Sequence, residues 1–190
     1  MFAAPASRRS LRPRTIKGLL PQAPTTLGFV GAFFALLALM QKTKWNDKIS
    51  VGEALGAEDA QALHDEGIRT VIDLRTSDEI NPLEKAWVEG VGLDYESLPV
   101  SPNLLDDVAV ARFIQEVDSS GGPVYVHCKM GGRAGIMALL HDAVGGGWTI
   151  EKTMQAAEEK GVRLGEDSPY RPVVEDYLAR HSAGERLKRS

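Results

Sequence analysis

The residues best suited to chemistry lie together in the run Pro123, Val124, Tyr125, Val126, His127, Cys128, Lys129, Met130, Gly131, Gly132, Arg133. An apolar, strand-like stretch ends in the one cysteine of the chain, and a glycine-containing turn then leads to an arginine. A helix starting just after that turn would aim its unpaired backbone N–H groups at the thiol, and such groups attract oxyanions and favour a thiolate. Gly131 and Gly132 let the backbone turn with its N–H groups inward. Arg133 could grip two oxygens of a bound oxyanion through its planar fork, with His127 beside the thiol in sequence. The alternative for a lone cysteine is a small buried hydrophobe at the end of a core strand. The glycine pair and the arginine favour a reactive anion site.

The elements that must hold this run follow from hydrophobic periodicity and from caps. Strands are expected at 48–52, 70–74, 95–98 and 124–127. Helices are expected at 57–66, ended by Gly67, and at 83–91 after Pro82. A third helix spans 106–119, where Val110, Phe113, Ile114 and Val117 share one face. Beyond the cysteine, helices are expected at 134–144, at 149–160 with Thr149 as N-cap, and at 172–180 with Pro172 in the first turn. Strand and helix alternate and then helices take over, which predicts an α/β fold: a small central sheet flanked by helices.

Charge divides the chain. The net charge is −4 overall, but residues 1–50 carry +7 and the remainder −11. The acidic globular part argues against a nucleic-acid partner. A single cysteine excludes an intrachain disulfide framework, and His64, His141 and His181 are scattered without metal-ligand spacing, so no metal and no cofactor are expected. The first 26 residues are basic and acid-free, and the run Leu27 to Met40 is uncharged. No small-residue cleavage site follows that run, and an organellar targeting sequence also suits the basic segment. The reading adopted is a membrane anchor over 27–41, an N-terminal apolar helix that would make this a single-pass membrane protein of undetermined orientation. A globular domain at 48–181 and a polar tail at 182–190 complete the expected organisation.

The run His127-Cys128-x-x-Gly131-x-Arg133 resembles the phosphate-binding loop of the cysteine-dependent protein tyrosine and dual-specificity phosphatases. It is more closely similar to that of the compact bacterial phosphatase-like group related to the beta-lactamase hydrolase-like proteins. Gly67 to Arg75, Tyr95 to Val100 and Trp148 to Gly161 are similar to flanking parts of that family, so the resemblance covers roughly residues 48 to 180. It implies a protein tyrosine phosphatase-like fold and a hydrolase acting on a phosphorylated protein or a small phosphate ester. In that scheme Cys128 is the nucleophile, and Arg133 with the N–H groups of Lys129, Met130, Gly131 and Gly132 binds the phosphate. Asp106 or Asp107 would be the general acid.

Three departures qualify the resemblance. Four residues separate Cys128 from Arg133 where the usual phosphatase loop has five, a shortening shared with the compact bacterial group and with rhodanese-like sulfurtransferases. Ala134 stands where the family commonly has a Ser or Thr that helps the thiolate depart, and Ser101 and Pro102 follow the strand where an acid is usual. A rhodanese-like sulfurtransferase carrying a persulfide on Cys128, and an inactive oxyanion- or phosphopeptide-binding module, therefore stay open. Asp106 and Asp107 also suit the first turn of the following helix, where its dipole favours acids. Asp73 and Arg75 read as a brace between loops, and Met130 as an apolar lip.

Overall fold

The computed structural model describes residues 41–181. In chain order these form β1 (Lys42–Lys44), β2 (Ile49–Gly52), α1 (Ala57–Asp65), β3 (Thr70–Asp73), α2 (Glu84–Gly90), β4 (Asp94–Ser97), α3 (Asp107–Ser119), β5 (Val124–His127), α4 (Gly132–Gly146), α5 (Ile150–Glu159) and α6 (Arg171–His181). The five strands make one mixed sheet in the order β1-β2-β5-β3-β4, with β1 antiparallel to β2 and every other pairing parallel.

Alternation along the strands assigns side chains to two cores. Val124 and Val126 of β5 and Ile72 of β3 join one cluster, packed beneath α3, α4 and α6, whereas Tyr125 and Val71 join the other, with Leu63 of α1 and Val88 of α2. Successive residues of a strand point to opposite faces, so this three-layer arrangement follows directly from the period of two. On α3, Val110, Phe113 and Val117 are fully buried, and burying a side chain such as Phe113 contributes about 1.5–3 kcal/mol. Helix α4 is the most buried helix among the described residues, with Ile136 to Leu140 all buried between β2 and β5 on one side and α3 and α5 on the other.

Local signals explain most boundaries. Thr149 caps α5 by accepting from Lys152 N at 3.2 Å, and Gly67 ends the α1 turn in the left-handed region with φ 85°. Helix α4 runs on through Gly145 and Gly146 and stops only at Gly147, which takes φ 57°. Strand β1 was not expected, because Lys42-Thr43-Lys44 has no apolar alternation; it is an edge strand, where lysines block further pairing. It brings the sheet forward of the expected domain start at residue 48.

The membrane expectation is corrected. Among the described residues no helix is long and apolar enough to cross a membrane, so the single-pass localisation, the N-terminal apolar helix and the membrane as partner are without support. The physical reason lies in the segment's composition: its apolar run Leu27 to Met40 is by itself shorter than the about 20 residues a spanning helix needs. That run and the tail at 182–190 lie outside the described residues.

Candidate active site

Gly52, His127 and Asp73 are lateral neighbours in the parallel register, so β2, β5 and β3 end together. The segments that follow leave the sheet at its carboxyl edge, where parallel sheets bind ligands. Cys128 is the first residue past the central strand, and its N–H donates to Gly52 O at 3.4 Å. Strand parity separates it from its neighbour. His127 points with Tyr125 toward α1 and α2, stacking on that ring at 5.7 Å, while Cys128 joins the core on the α4 side. The thiol is free and only 2% exposed, yet it lines a cavity of about 690 Å³.

The loop after Cys128 turns into α4 through Gly131, the N-cap, whose φ of 80° any residue with a Cβ would resist. A Cβ there would lie 3.4 Å from Gly52 O, an ordinary contact distance, so the loop rests directly on the end of β2. Gly132 and Arg133 form the first turn of α4, whose N–H groups have no partner within the helix. The thiol, the loop and this positive helix end converge at one edge of the cavity. Lys129 is exposed, and Met130, 82% exposed, stands as an apolar lip.

Arg133 is held from one end. Its Nη1 donates to Glu79 Oε2 at 2.7 Å and Val100 O at 3.1 Å, with Leu74 O further off at 3.4 Å, and its Nη2 donates to Glu79 Oε1 at 2.9 Å. A guanidinium has donors along a second edge, Nε and the other Nη2 hydrogen, and for these no acceptor occurs among the described residues. Glu79 is itself fixed by Thr76, whose N–H and Oγ1–H donate to it at 3.1 and 3.0 Å. The hydrogen bond from Arg133 chiefly holds the Glu79 carboxyl down at about 2. Burial disfavours the charge on Arg133, but Glu79 and the nearby Cys128 outweigh it and its pKa is raised.

Beneath the loop, on the opposite face of the sheet, lies a second ionic group. Arg75, 4% exposed, donates through Nε and Nη2 to Asp73 at 2.9 and 2.8 Å, and its Nη2 stands 2.7 Å from Glu84 Oε1. His127 Nε2 approaches the same Glu84 oxygen at 3.0 Å, and Tyr95 donates its hydroxyl to Asp73 at 2.7 Å. Asp73, Glu84 and His127 bring ligand atoms within 4.8 Å of one another, a spacing that could hold a cation. Here the guanidinium of Arg75 occupies that place, as the reading of Asp73 and Arg75 as a brace anticipates. Burial raises the Asp73 carboxyl, but the bonds from Arg75 and the field of His127 prevail and leave it lowered.

The expected acids are placed elsewhere. Asp106 is the N-cap of α3, accepting from Ala109 N at 2.8 Å, and Asp107 accepts from Arg180 at 2.6 Å and His181 at 3.0 Å, tying α3 to α6. Neither lines the cavity that contains Cys128, so the structure does not bring them to the thiol as the sequence reading requires. The physical reason is that both side chains are consumed by helix capping and inter-helix pairing. Glu79, Arg163, Asp167 and Tyr170 line the cavity without having been foreseen. Glu79 lies 54 residues from Arg133, beyond any local pattern, although Thr76-x-x-Glu79 has the form of a capping box.

A family model described as "Swiss Army Knife protein, DSP-PTPase phosphatase domain" matches residues 49–150. A beta-lactamase hydrolase-like protein of Agrobacterium fabrum is 28% identical over 112 residues, 56% of this chain and 26% of the relative. The chain thus spans about a quarter of the length of the curated relatives it matches. Among solved structures, a candidate phosphatase (DUF442) from Shewanella putrefaciens CN-32 superposes with TM-score 0.63 at 21% identity, covering 79% of this chain and 99% of that one. A cysteine-to-serine variant of P. aeruginosa TpbA in complex with pTyr superposes with TM-score 0.58 at 21% identity, covering 80% and 95%. The two structures share the fold.

Proposed function

Because the chain belongs to the DSP-PTPase phosphatase-domain family of Swiss Army Knife proteins, we propose that it hydrolyses a phosphate monoester through a phosphocysteine on Cys128. The observation that supports this reading best is the convergence at one cavity of a buried thiol, an unpartnered helix start and the free edge of Arg133. The Cys128 thiolate attacks phosphorus, the ester P–O bond breaks, and the leaving oxygen takes up a proton. Water then attacks phosphorus, the P–S bond breaks and the thiolate returns. The Nε and Nη2 hydrogens of Arg133 and the N–H groups from Lys129 to Arg133 stabilise the equatorial oxygens, a contribution of charge and position.

Phosphorylated proteins and small phosphate esters are the proposed substrate classes, and pTyr bound in the TpbA neighbour supports an aryl ester. The domain that does this work is taken as 48–181 together with β1. Ala134 is fully buried in the first turn of α4 and offers no hydroxyl to the departing thiolate, which favours breakdown of the phosphocysteine as the slow step.

The test uses the full chain and its Cys128→Ser variant with p-nitrophenyl phosphate and, in parallel, thiosulfate with cyanide. Hydrolysis of the ester with an initial burst of nitrophenolate, lost in Cys128→Ser, is the expected result. Full hydrolysis by Cys128→Ser would sink the mechanism. Turnover of thiosulfate alone would favour a persulfide on Cys128, and oxyanion binding without turnover would favour an inactive module.

A further inference from the structure

We propose that Asp167, in the connection between α5 and α6, is the general acid of this reaction, giving its proton to the ester oxygen as the P–O bond breaks. The inference rests on the phosphatase reading above and supplies the proton that reading needs. In the second step the Asp167 carboxylate takes a proton from the attacking water while the P–S bond breaks, so the acid and the thiolate are both restored.

A positioned acid at a leaving oxygen contributes about 10²–10⁴-fold. Two carboxylates line the cavity shared by Cys128 and Arg133, namely Glu79 and Asp167. Glu79 is committed: both of its oxygens accept from Arg133, one of them also from Thr76. The segment 98–105, which precedes α3 on the side where the family's acid is usual, contains no Asp or Glu. Asp106 and Asp107 are bound into α3 and α6 as described above.

Asp167 differs from all of these. It is exposed, and no hydrogen bond or ion pair engages its carboxylate among the described residues. Its backbone is nevertheless fixed. Ser168 N donates to Gly165 O at 3.0 Å, closing a four-residue turn with Asp167 in third position, and Arg171 N donates to Ser168 O at 3.1 Å at the start of α6. Depth in the cavity orders the participants. In-line displacement puts the leaving oxygen on the side of phosphorus away from Sγ. Cys128 is 2% exposed at the sheet edge, so that side lies toward solvent, and the exposed Asp167 lines the same cavity.

The experiment compares kcat/KM of the full chain for phenyl phosphate, a poor leaving group, and 2,4-dinitrophenyl phosphate, which needs no proton. Asp167→Asn is expected to lose about 10²-fold or more on phenyl phosphate and less than about fivefold on the dinitrophenyl ester. Glu166→Gln, an exposed neighbour outside the cavity lining, should match the wild type on both. Equal loss on the two esters, no loss on phenyl phosphate, or a selective loss in Asp106→Asn or Asp107→Asn would each overturn the assignment of Asp167. A wild-type chain that hydrolyses neither ester, or a Cys128→Ser variant that hydrolyses both, would instead overturn the phosphatase reading on which it rests.

Discussion

Arg75 and Arg133 stand near the same edge of the sheet and each holds acidic side chains, but the fold leaves them in opposite states. Arg75 sits between Asp73 and Glu84, both fully buried, with His127 and Tyr95 closing the group from the remaining sides. Among the described residues Arg133 meets one carboxylate, through its Nη end, and it lines the cavity with no acceptor at its Nε. The difference follows from which face of the sheet each serves. Strand parity sends Asp73 and His127 toward α2, where no solvent reaches them, whereas α4 carries Arg133 to the open carboxyl edge. A buried charge must be matched within the protein, so Arg75 is a brace under the loop; a charge at an open edge can be matched by a bound oxyanion.

Two substitutions break the comparison from its two ends. Arg133→Lys removes the planar fork, since an ammonium cannot serve Glu79 and two phosphate oxygens at once. Hydrolysis of an aryl phosphate is expected to fall by about 10³-fold, with the thermal midpoint lowered by only a few degrees. Near-normal turnover would show that the free edge of Arg133 is not where phosphate binds. Arg75→Met should behave in reverse, because it leaves Asp73 and Glu84 buried without their cation. A loss of about 3–5 kcal/mol in urea unfolding is expected, with turnover per folded molecule changed far less than in Arg133→Lys. A stable Arg75→Met protein with collapsed turnover would make Arg75 part of the chemistry rather than its support.

The same contrast marks what could be read from residues alone. Strand β5 occupies 124–127 as its apolar run predicts, and the helix boundaries fall close to their caps, with Thr149 and Gly67 where local hydrogen bonding requires them. These are short-range effects of periodicity and capping, so the sequence carries them in full. Cys128, the glycine turn and Arg133 are contiguous, and their convergence was legible for the same reason. The partner of Arg133 was not, because Glu79 arrives from a distant irregular loop. Asp106 and Asp107 could not be placed from sequence because an acid at a helix start can cap, pair or catalyse, and only the bonds from Ala109 N to Asp106 and from Arg180 and His181 to Asp107 show where each side chain is engaged. The segment that carries Asp167 has no regular element, and nothing local says that it lines the cavity of the thiol.

Acid pH offers the gentlest way to sharpen the comparison, because it acts on the open pair through Glu79. The carboxyl of Glu79 lies at about 2 when folded, against an ordinary value of 4.5. Since the folded value is the depressed one, the Arg133 pair contributes stability that is complete above about pH 5 and disappears as pH falls toward 2. Glu79→Gln keeps the shape of the acceptor but has no proton to gain, so it should remove that part of the acid dependence. Other carboxyls that are also lowered, Asp73 and Asp107 among them, titrate in both proteins and cancel in the difference. Urea unfolding at pH 6 and pH 3 is therefore expected to show a larger drop for the wild type than for Glu79→Gln. At pH 6 the variant should also lose about tenfold in kcat/KM, because the Nη end of Arg133 is no longer held. Equal acid sensitivity in the two proteins would mean that Glu79 is as free in solution as any surface carboxylate, and that Arg133 takes its aim from Val100 and Leu74 alone.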